Sequence, residues 1–237
     1  MSEQEPKLAE PDPSAGGAAI LDELSRGATL TDRVYARLRR GLLVGFWAPG
    51  EKLSARQIAR EMNVSMTPVR EAMMRLATEG ALEMTETRAF RAPELGRAAY
   101  RELVRVRLAL EPMAAGLAAA RIEPSQVAAI EALNERLAAH LRQDQFHQAL
   151  EVDSQLHLAI YEAAGQPLLL SIIDGLLLRA GPTRTRLSYA YRKSLAGYEH
   201  HRRLIAALRV HDAAAAEAEV AADLEEGAAM ILNILPG

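Results

Sequence analysis

Apolar side chains recur at helical spacing along most of this 237-residue chain. Near the amino terminus, Val34, Leu38 and Leu42 are four residues apart. This spacing predicts an amphipathic helix over about 31–44, because positions four apart lie on one face of a helix. The segment before it, 1–28, is rich in proline and acidic residues, which predicts a disordered leader.

Two short helical segments joined by a three-residue turn follow this helix. Ser54 is a suitable N-cap for the first segment, and Thr67 for the second, with Pro68 at its first helical position. The apolar positions expected to face inward are Ile58, Ala59, Met62, Val69, Ala72, Met73 and Leu76. The pattern predicts a helix-turn-helix, a unit whose second helix can enter the major groove of DNA.

The hydrophobic period changes after this unit, between residues 81 and 92. Apolar residues there flank the polar centre 85–88, which predicts a two-stranded hairpin, or wing. The remaining sequence predicts about six helices, at 97–121, 124–143, 145–164, 168–191, 193–210 and 212–234. We therefore expect a mainly α protein in which a winged helix-turn-helix at 29–95 precedes an all-helical bundle at 96–237.

Charge is distributed unevenly over the two predicted domains. Residues 30–95 carry 11 Lys or Arg and 8 Asp or Glu, a net charge of +3, although the whole chain has a net charge of -3. The positive excess is small, but it coincides with the domain that would contact phosphates. This distribution is consistent with DNA binding and only weakly supports it.

Composition excludes several classes of site. The sequence has no cysteine, so disulfides, thiolate metal sites and cysteine nucleophiles are excluded. It has no uninterrupted run of about 18 apolar residues, so no membrane span is expected. The leader does not have the basic-then-apolar order of a secretory signal, and we therefore expect a cytoplasmic protein.

Several short segments together have a recognisable order. In the first domain they are Pro49-Gly50-Glu51-Lys52-Leu53 and Val64-Ser65-Met66-Thr67-Pro68-Val69-Arg70-Glu71-Ala72. In the second they are Val106-Arg107-Leu108-Ala109-Leu110-Glu111, Asp153-x-x-x-His157, Ala163-Ala164-Gly165-Gln166-Pro167-Leu168 and Glu199-His200-His201-x-x-Leu204-Ile205. The combination resembles the GntR family of bacterial transcription regulators, in its FadR-like branch with an FCD ligand-binding domain, over about residues 30–230. The number of helices resembles the shorter VanR type.

The resemblance implies a homodimeric transcription regulator. Such a protein binds a palindromic operator in double-stranded DNA, usually as a repressor, because a symmetric dimer matches half-sites related by the same twofold axis. The resemblance also implies that a small carboxylate metabolite binds the helical domain and changes the spacing of the two DNA-reading heads. The family pattern alone does not name that metabolite.

The same resemblance assigns the residues that contact DNA, with the start of the third helix in the major groove. By position they are Arg56, Ser65, Thr67 and Arg70. Hydroxyls and free amides at a helix start suit phosphate oxygens, and arginine matches guanine O6 and N7. Arg88 and Arg91 on the wing are candidates for minor-groove or phosphate contacts. The alternative is that each arginine is an ordinary solvated surface charge.

Two positions depart from the family pattern. Met66 stands where the family usually has arginine, and a thioether cannot make the bidentate contact to guanine. It can touch a thymine methyl instead, so we expect a different operator base there. Ala89 stands where the wing usually has glycine, so we expect a different wing turn, because alanine resists a positive φ.

Asp153 and His157 are four residues apart on one predicted helix, so a carboxylate oxygen and an imidazole nitrogen can meet one divalent ion. The resemblance adds His201, or His200 if the alignment slips by one residue. It also implies a histidine on the last helix, where this chain has Asp223. Zn²⁺ is the expected ion, with Mn²⁺, Ni²⁺ or Mg²⁺ as alternatives because aspartate favours harder ions. A polar cluster without metal is the other interpretation.

Arginines near this centre are candidates for binding the effector carboxylate. Arg107 aligns with a family arginine beside the pocket, although a structural pair with Glu111, one turn along the helix, is equally compatible with the spacing. The basic run Arg179, Arg184 and Arg186 can either reach the pocket or lie on the surface.

Two other functions fit parts of the pattern. One is a metal-dependent enzyme with a DNA-binding appendage, in which the ligand set activates water. No general base, nucleophile or glycine-rich phosphate loop stands near the ligands in the sequence, so we predict no catalytic residues. The other is a scaffold protein that does not contact DNA.

Overall fold

A computed structural model describes residues 29–87 and 89–236 of the chain. The expected leader, 1–28, and Arg88 lie outside the described residues. Within them the protein is mainly helical, with three strands of two residues each, which confirms the fold class. No helix in these ranges is long and apolar enough to cross a membrane.

The amino-terminal part forms a winged helix-turn-helix. Its elements are α1 (Leu30–Leu43), β1 (Lys52–Leu53), α2 (Ala55–Glu61), α3 (Met66–Thr78), β2 (Glu83–Met84) and β3 (Phe90–Arg91). Two helices begin earlier than predicted because other residues cap them. Thr29 and Asp32 cap the start of α1 reciprocally, and Ser65, not Thr67, is the N-cap of α3. Pro68 is therefore the third residue of α3 rather than the first.

The wing is a three-stranded sheet rather than a two-stranded hairpin. Its strand order is β1-β3-β2, and both pairings are antiparallel. Phe90 on the central strand pairs with Leu53 on one side and Met84 on the other. The additional strand escaped prediction because two residues are too few to show a period of two.

The second part consists of seven helices in the described residues. They are α4 (Arg97–Ala119), α5 (Pro124–Arg142), α6 (Phe146–Ala163), α7 (Pro167–Arg184), α8 (Tyr189–Ser194), α9 (Ala196–Arg209) and α10 (Ala213–Leu232). The predicted helix 168–191 ends at Arg184, and α8 is a separate element. Leu195 divides α8 from α9 with a left-handed φ of 57°. A six-residue helix spans fewer than two turns, so periodicity could not separate it.

In the helical part α4 lies along α10, and α5 contacts α6 and α9. Leu156, Ile160, Leu177 and Leu204 are almost completely buried there. Helix α9 contacts α5 and α10, and α6 contacts α5 and α4, so α6, α9 and α10 surround the same interior. Polar residues on the inner faces of these three helices therefore meet inside the bundle.

Helix α7 also packs against α1, which links the bundle to the amino-terminal domain. Arg39 forms an ion pair with Asp174 across this contact. Gly181 lies so close to α1 that a Cβ atom there would overlap the carbonyl oxygen of Leu42. A Cβ at Gly45 would likewise overlap the methyl group of Thr185, and its φ of +64° favours glycine independently.

Candidate functional site

The amino-terminal end of α3 is exposed on the winged helix-turn-helix. Ser65 caps the helix by backbone position only, since its hydroxyl makes no capping hydrogen bond in the described structure. Met66, Thr67 and Arg70 are also exposed. The opposite face of α3 is buried, and Val69 is completely covered. The end of the helix that is predicted to contact DNA is therefore accessible.

The two arginines assigned to base or phosphate contacts have free guanidinium groups. Arg56 on α2 and Arg70 on α3 are exposed, and neither forms an ion pair or hydrogen bond with a described side chain. By contrast, Arg75 on α3 donates to Glu79 at 3.1 Å. The interpretation of Arg56 and Arg70 as ordinary surface charges stays open, but no neighbouring carboxylate holds either of them.

The wing contributes further cationic groups. Arg91 on β3 is half-buried, and its Nε atom is buried without a hydrogen-bond partner among the described residues. Lys52 on β1 is exposed directly opposite Arg91. It was not predicted as a DNA contact, although it lies in one of the family segments. Backbone and hydroxyl groups of Thr85 and Ala89 close the wing turn with hydrogen bonds of 2.8 and 3.1 Å.

Four side chains converge inside the helical part. Asp153 and His157 come from α6, His201 from α9 and Asp223 from α10. The Nε2 atoms of the two histidines are 3.2 Å apart. Asp153 Oδ1 lies 3.9 and 3.7 Å from them, and Asp223 Oδ2 lies 3.5 and 3.7 Å from them. Asp153, His157 and His201 form a group that can hold a metal ion.

The outer nitrogen of His201 is held by a residue on α5. His201 Nδ1 is 3.1 Å from Asn134 Oδ1, and the Asn134 amide nitrogen donates to the Tyr198 carbonyl at 3.2 Å. The amide oxygen must therefore accept, so Nδ1 of His201 carries the hydrogen. This tautomer leaves the lone pair on Nε2, which points into the group of four.

The tautomer of His157 is fixed in the same way, through its Nδ1 atom. His157 Nδ1 is 3.1 Å from the Tyr161 hydroxyl, and that hydroxyl donates to Glu111 at 2.8 Å. The phenol oxygen is therefore the acceptor for His157 Nδ1–H. Both imidazoles thus direct lone pairs toward one point, the arrangement that outer hydrogen bonds impose on metal-ligating histidines.

The donor set fits a divalent ion. Ligands about 2.0–2.2 Å from Zn²⁺ at the corners of a tetrahedron are about 3.3–3.6 Å apart. The two histidine nitrogens, 3.2 Å apart, are close to this range, and the carboxylate oxygens lie at its upper edge or beyond it, Asp223 Oδ2 at 3.5 and 3.7 Å and Asp153 Oδ1 at 3.9 and 3.7 Å. Two imidazole nitrogens and two carboxylates suit zinc and also harder divalent ions.

Electrostatics at the centre favour ionised carboxylates. Burial raises the pKa of Asp223, but His157 and His201 outweigh it and hold that pKa well below its usual range. Burial also raises the pKa of Asp153, but nearby cationic groups, Arg184 first among them, lower it by more, so the net shift is downward. Burial lowers the pKa of His157, but Asp223 and Asp153 raise it by more, so the net shift is upward. These two partly exposed carboxylates are therefore anionic at neutral pH, and a protonated His157 or a bound metal ion can balance their charge.

A cavity of about 120 Å³ opens beside this group and is lined by three of its members, Asp153, His157 and Asp223. Arg184, at the end of α7, lines it and bonds both Asp153 and the hydroxyl of Ser154, the latter at 3.0 Å. The other two members of the basic run lie elsewhere. Arg179 donates to a backbone carbonyl of the amino-terminal domain, and Arg186 pairs with Glu94. Arg184 is thus the member of the run that reaches the cavity.

Arg107 also lines the cavity, but it is committed to a neighbour. Its Nε and Nη2 atoms donate to the Glu111 carboxylate at 2.6 and 3.2 Å. This is the pair that the helical spacing offered as the alternative. An effector that contacts Arg107 would have to accept hydrogen bonds from the guanidinium N–H groups that Glu111 does not use.

His200 points away from the group of four. Its Nδ1 and Nε2 atoms lie 3.0 and 2.9 Å from Glu219 and Glu226. The structure therefore places His201, and not its neighbour, beside His157. The slip of one residue that the alignment allowed does not occur.

Comparison with known proteins agrees with this architecture. A model of the bacterial regulatory proteins of the gntR family matches residues 30–91, and a model of the FCD domain matches residues 102–226. The HTH-type transcriptional regulator McbR of Escherichia coli (strain K12) is 33% identical over 189 residues, which cover 78% of this chain and 84% of McbR.

The chain belongs to the GntR family. Its FCD domain and its relation to McbR place it in the FadR-like branch, as the sequence segments predicted. The HTH-type transcriptional repressor RspR of the same strain is 27% identical over 154 residues, 65% of this chain and 68% of RspR. A solved structure of E. coli McbR/YncC matches with a TM-score of 0.80 and 31% identity, over 87% of this chain and 98% of that chain.

This GntR-family transcription regulator contains functional candidates that sequence reasoning missed. Asn134 lies 67 residues before His201, so no local spacing connects them. Tyr161 follows His157 by four residues, a spacing that could have indicated the contact. Tyr100 and Tyr191, which line the cavity, stand in no motif. The missed residues are mostly those that the tertiary fold alone brings together.

Proposed function

We propose that this protein is a homodimeric repressor that binds a palindromic operator and is released or modulated by a small carboxylic acid held with a divalent ion in the FCD domain. The observation that carries the proposal is the joint presence of an accessible α3 end and a closed set of metal-type donors beside a cavity. The repressor role is supported by the relative RspR, whose name describes a repressor.

The DNA-binding part rests on the residues around the start of α3. Ser65, Thr67 and the free amides of the helix suit phosphate oxygens. Arg56 and Arg70 supply free guanidinium groups for guanine or phosphate, and Met66 supplies an exposed apolar contact for a thymine methyl. Arg91 and Lys52 extend the positive surface onto the wing.

The metal-binding part rests on Asp153, His157, His201 and Asp223. Two directed imidazole lone pairs and two ionised carboxylates surround one point, and the outer hydrogen bonds fix the histidine tautomers. When bound, the ion would supply positive charge that attracts an effector carboxylate. Arg184 adds a cationic donor at the cavity wall, and Arg107 is a second candidate there.

Helix α7 offers a route from the cavity to the DNA-binding head. Its last turn carries Arg184, which contacts Asp153, while Gly181 on the same helix lies against Leu42 of α1. A ligand carboxylate that competes with Asp153 for Arg184 would change the forces on the end of α7. Because packed interfaces shift between discrete arrangements, such a change can alter how the head is held.

Homodimer formation is supported by an apolar stripe on α4. Val106, Met113 and Leu117 are 41%, 43% and 39% exposed. Their spacing of seven and four residues places them on one face of the helix. A second copy that covers this face would bury the stripe and relate the two heads by a twofold axis. A change of Met113 to glutamate should then give a monomer in light scattering.

Operator binding and effector binding can be tested together. Gel-shift titration with the DNA upstream of the protein's own gene should show a specific complex whose affinity falls steeply with salt, because phosphate contacts release counterions. Small carboxylic acids should raise the melting temperature in the presence of Zn²⁺ and weaken the complex. Absence of a specific complex would reject the DNA-binding part, and absence of any stabilisation would reject the effector part.

A further inference from the structure

The carboxyl end of α3, opposite its predicted DNA-contacting end, is closed by a Schellman motif. The N–H group of Gly80 donates to the Ala77 carbonyl at 3.0 Å. The N–H group of Ala81 donates to the Leu76 carbonyl at 2.8 Å. Gly80 has the left-handed φ of +72° that this motif favours. The carbonyl of the C-cap residue Glu79 takes no part in these two hydrogen bonds, so it can accept one from another element.

Arg179 of α7 donates a hydrogen bond to this carbonyl. Its Nη2 atom lies 3.4 Å from the backbone oxygen of Glu79. The guanidinium group also lies against Gly80, where an added Cβ atom would overlap it. Among the residues that the structure describes, no carboxylate pairs with Arg179. Its positive charge therefore acts on the end of α3 without a competing partner.

A cation is favourable at this end of the helix. The last carbonyl groups of an α-helix carry partial negative charge, which a nearby lysine or arginine stabilises. Arginine remains protonated throughout the physiological pH range, so the contact does not depend on pH. Helix α7 belongs to the FCD domain and α3 to the DNA-binding head. One domain thus supplies a C-terminal cap to the helix that is predicted to enter the major groove.

The corner that Arg179 contacts is fixed within the head. The Glu79 carboxylate accepts hydrogen bonds from the Tyr35 hydroxyl at 2.6 Å and from Arg75 Nε at 3.1 Å. Tyr35 belongs to α1, and the Arg75 guanidinium lies over its ring at 3.9 Å. This corner therefore moves with α1 and α3 as one body. A displacement there is carried along the 13 residues of α3, about 20 Å, to the exposed Met66.

Other contacts between α7 and the head lie on α1. Arg39 pairs with Asp174, and Gly181 lies against the backbone of Leu42. Contacts on α1 fix where the head sits on the FCD domain. The contact between Arg179 and α3 adds a point on a second helix, and two points on different helices define an orientation as well as a position.

We propose that Arg179 is a positioning residue for operator recognition, because its cap on α3 sets the orientation of each head and thereby the half-site spacing that the dimer accepts. This inference rests on the proposed homodimer and palindromic operator, and it names a residue that controls their geometry. Arg179 acts without touching DNA, since it lies at the opposite end of α3 from the predicted contacts.

The test uses the full chain and duplexes that carry the half-site found by footprinting upstream of the protein's own gene. One duplex has a single half-site, one has the palindrome at its natural spacing, and one has two base pairs inserted at the centre. Each inserted base pair turns one half-site by about 35° relative to the other. Wild-type protein should bind the natural spacing at least about tenfold tighter than the altered one, because both heads cannot engage the altered duplex while they remain docked.

Substitution of Arg179 should relax this preference. In Arg179→Met the altered duplex no longer has to break the cap in two heads, so the preference should fall about threefold or more. Affinity for the single half-site should stay within about twofold of wild type, because the exposed start of α3 is unchanged. Arg179→Lys, which keeps a cation, should lie between the two proteins. Arg202→Met, which removes an exposed arginine that bonds Glu199 on α9, should behave as wild type.

Three results would overturn this inference. Equal binding of both spacings by the wild type would show that the heads are not held in one orientation. An unchanged preference in Arg179→Met would show that the cap does not set that orientation. Equal losses for the single half-site and the palindrome would show an effect on DNA contact or folding, which melting temperatures separate. If the wild type binds the palindrome no better than the single half-site, the proposed dimeric recognition itself fails, a result seen without any variant.

Discussion

The Nε2 atoms of His157 and His201 face each other at 3.2 Å, and both outer nitrogens of these rings donate hydrogen bonds. If both rings are neutral, two lone pairs face each other at this distance, so either a proton on one ring, which the raised pKa of His157 favours, or a bound cation must lie between them. A bound divalent ion satisfies both at once, and ionised Asp153 and Asp223 lower the energy of a cation at this point. This relationship is the strongest physical argument for a metal centre.

The Asn134 amide should control metal affinity through His201. Asn134→Ala removes the acceptor that fixes the His201 tautomer, so we expect the affinity for Zn²⁺ to fall about 10–100-fold. Competition with a chromogenic chelator measures this directly. His200→Gln is the matched control, because His200 bonds Glu219 and Glu226 outside the group. Unchanged affinity in the Asn134 variant would contradict the ligand role of His201.

Asp223 should tune which ion is preferred. Asp223→His introduces the ligand type that the family resemblance implies at this position and replaces a hard oxygen donor by imidazole nitrogen. We expect the preference for Zn²⁺ over Mn²⁺ to rise about tenfold or more, since imidazole nitrogen binds Zn²⁺ more strongly than Mn²⁺. Melting temperatures in matched Zn²⁺ and Mn²⁺ series report the change. An identical preference in both proteins would indicate that residue 223 is not a ligand.

If Arg56 and Arg70 contact DNA, removal of either side chain should weaken operator binding. Arg56→Ala and Arg70→Ala should each weaken specific operator binding by about 1–3 kcal/mol, because each removes a cation from the protein–DNA contact. Fluorescence anisotropy with operator and scrambled duplexes separates base contacts from phosphate contacts. Arg209→Ala, which removes an exposed pair with Glu131 on the helical part, serves as the control. Wild-type affinity in both test variants would contradict the assignment.

Local patterns were sufficient for the parts of the fold that depend on neighbouring residues. The spacing of Val34, Leu38 and Leu42 identified the buried face of α1, and all three are buried in the structure. The i, i+4 relation of Asp153 and His157 correctly put both on one helix face. The prediction of Thr67 as the N-cap of α3 was wrong, because serine caps helices as well as threonine and Ser65 stands two residues earlier.

The rest of the site depends on distant parts of the chain. Asn134, His157 and His201 meet only because α6 and α9 both pack against α5. The role of Arg184 likewise follows from where α7 ends relative to α6. No local periodicity indicates contacts between distant helices. The sequence therefore did not decide whether the basic run reaches the pocket, and it did not identify the cavity tyrosines.

The contact between α7 and α1 can be probed with two glycines of the same helix. A Cβ at Gly181 would overlap the Leu42 carbonyl oxygen, whereas a Cβ at Gly175 meets no described atom within 4 Å. We expect Gly181→Ala to lower the free energy of unfolding by about 1–3 kcal/mol, because the backbones must separate. Gly175→Ala should instead raise it by up to about 1 kcal/mol through helix propensity.

The same pair of variants tests whether α7 carries the effector signal. If the cavity communicates with the DNA-binding head through this contact, Gly181→Ala should reduce the change in operator affinity that a bound acid causes. Gly175→Ala should preserve that change, since its substitution leaves the packing on α1 intact. Equal effector responses in both variants, measured at a temperature where both are folded, would show that the signal takes another route, because only residue 181 lies against the backbone of α1.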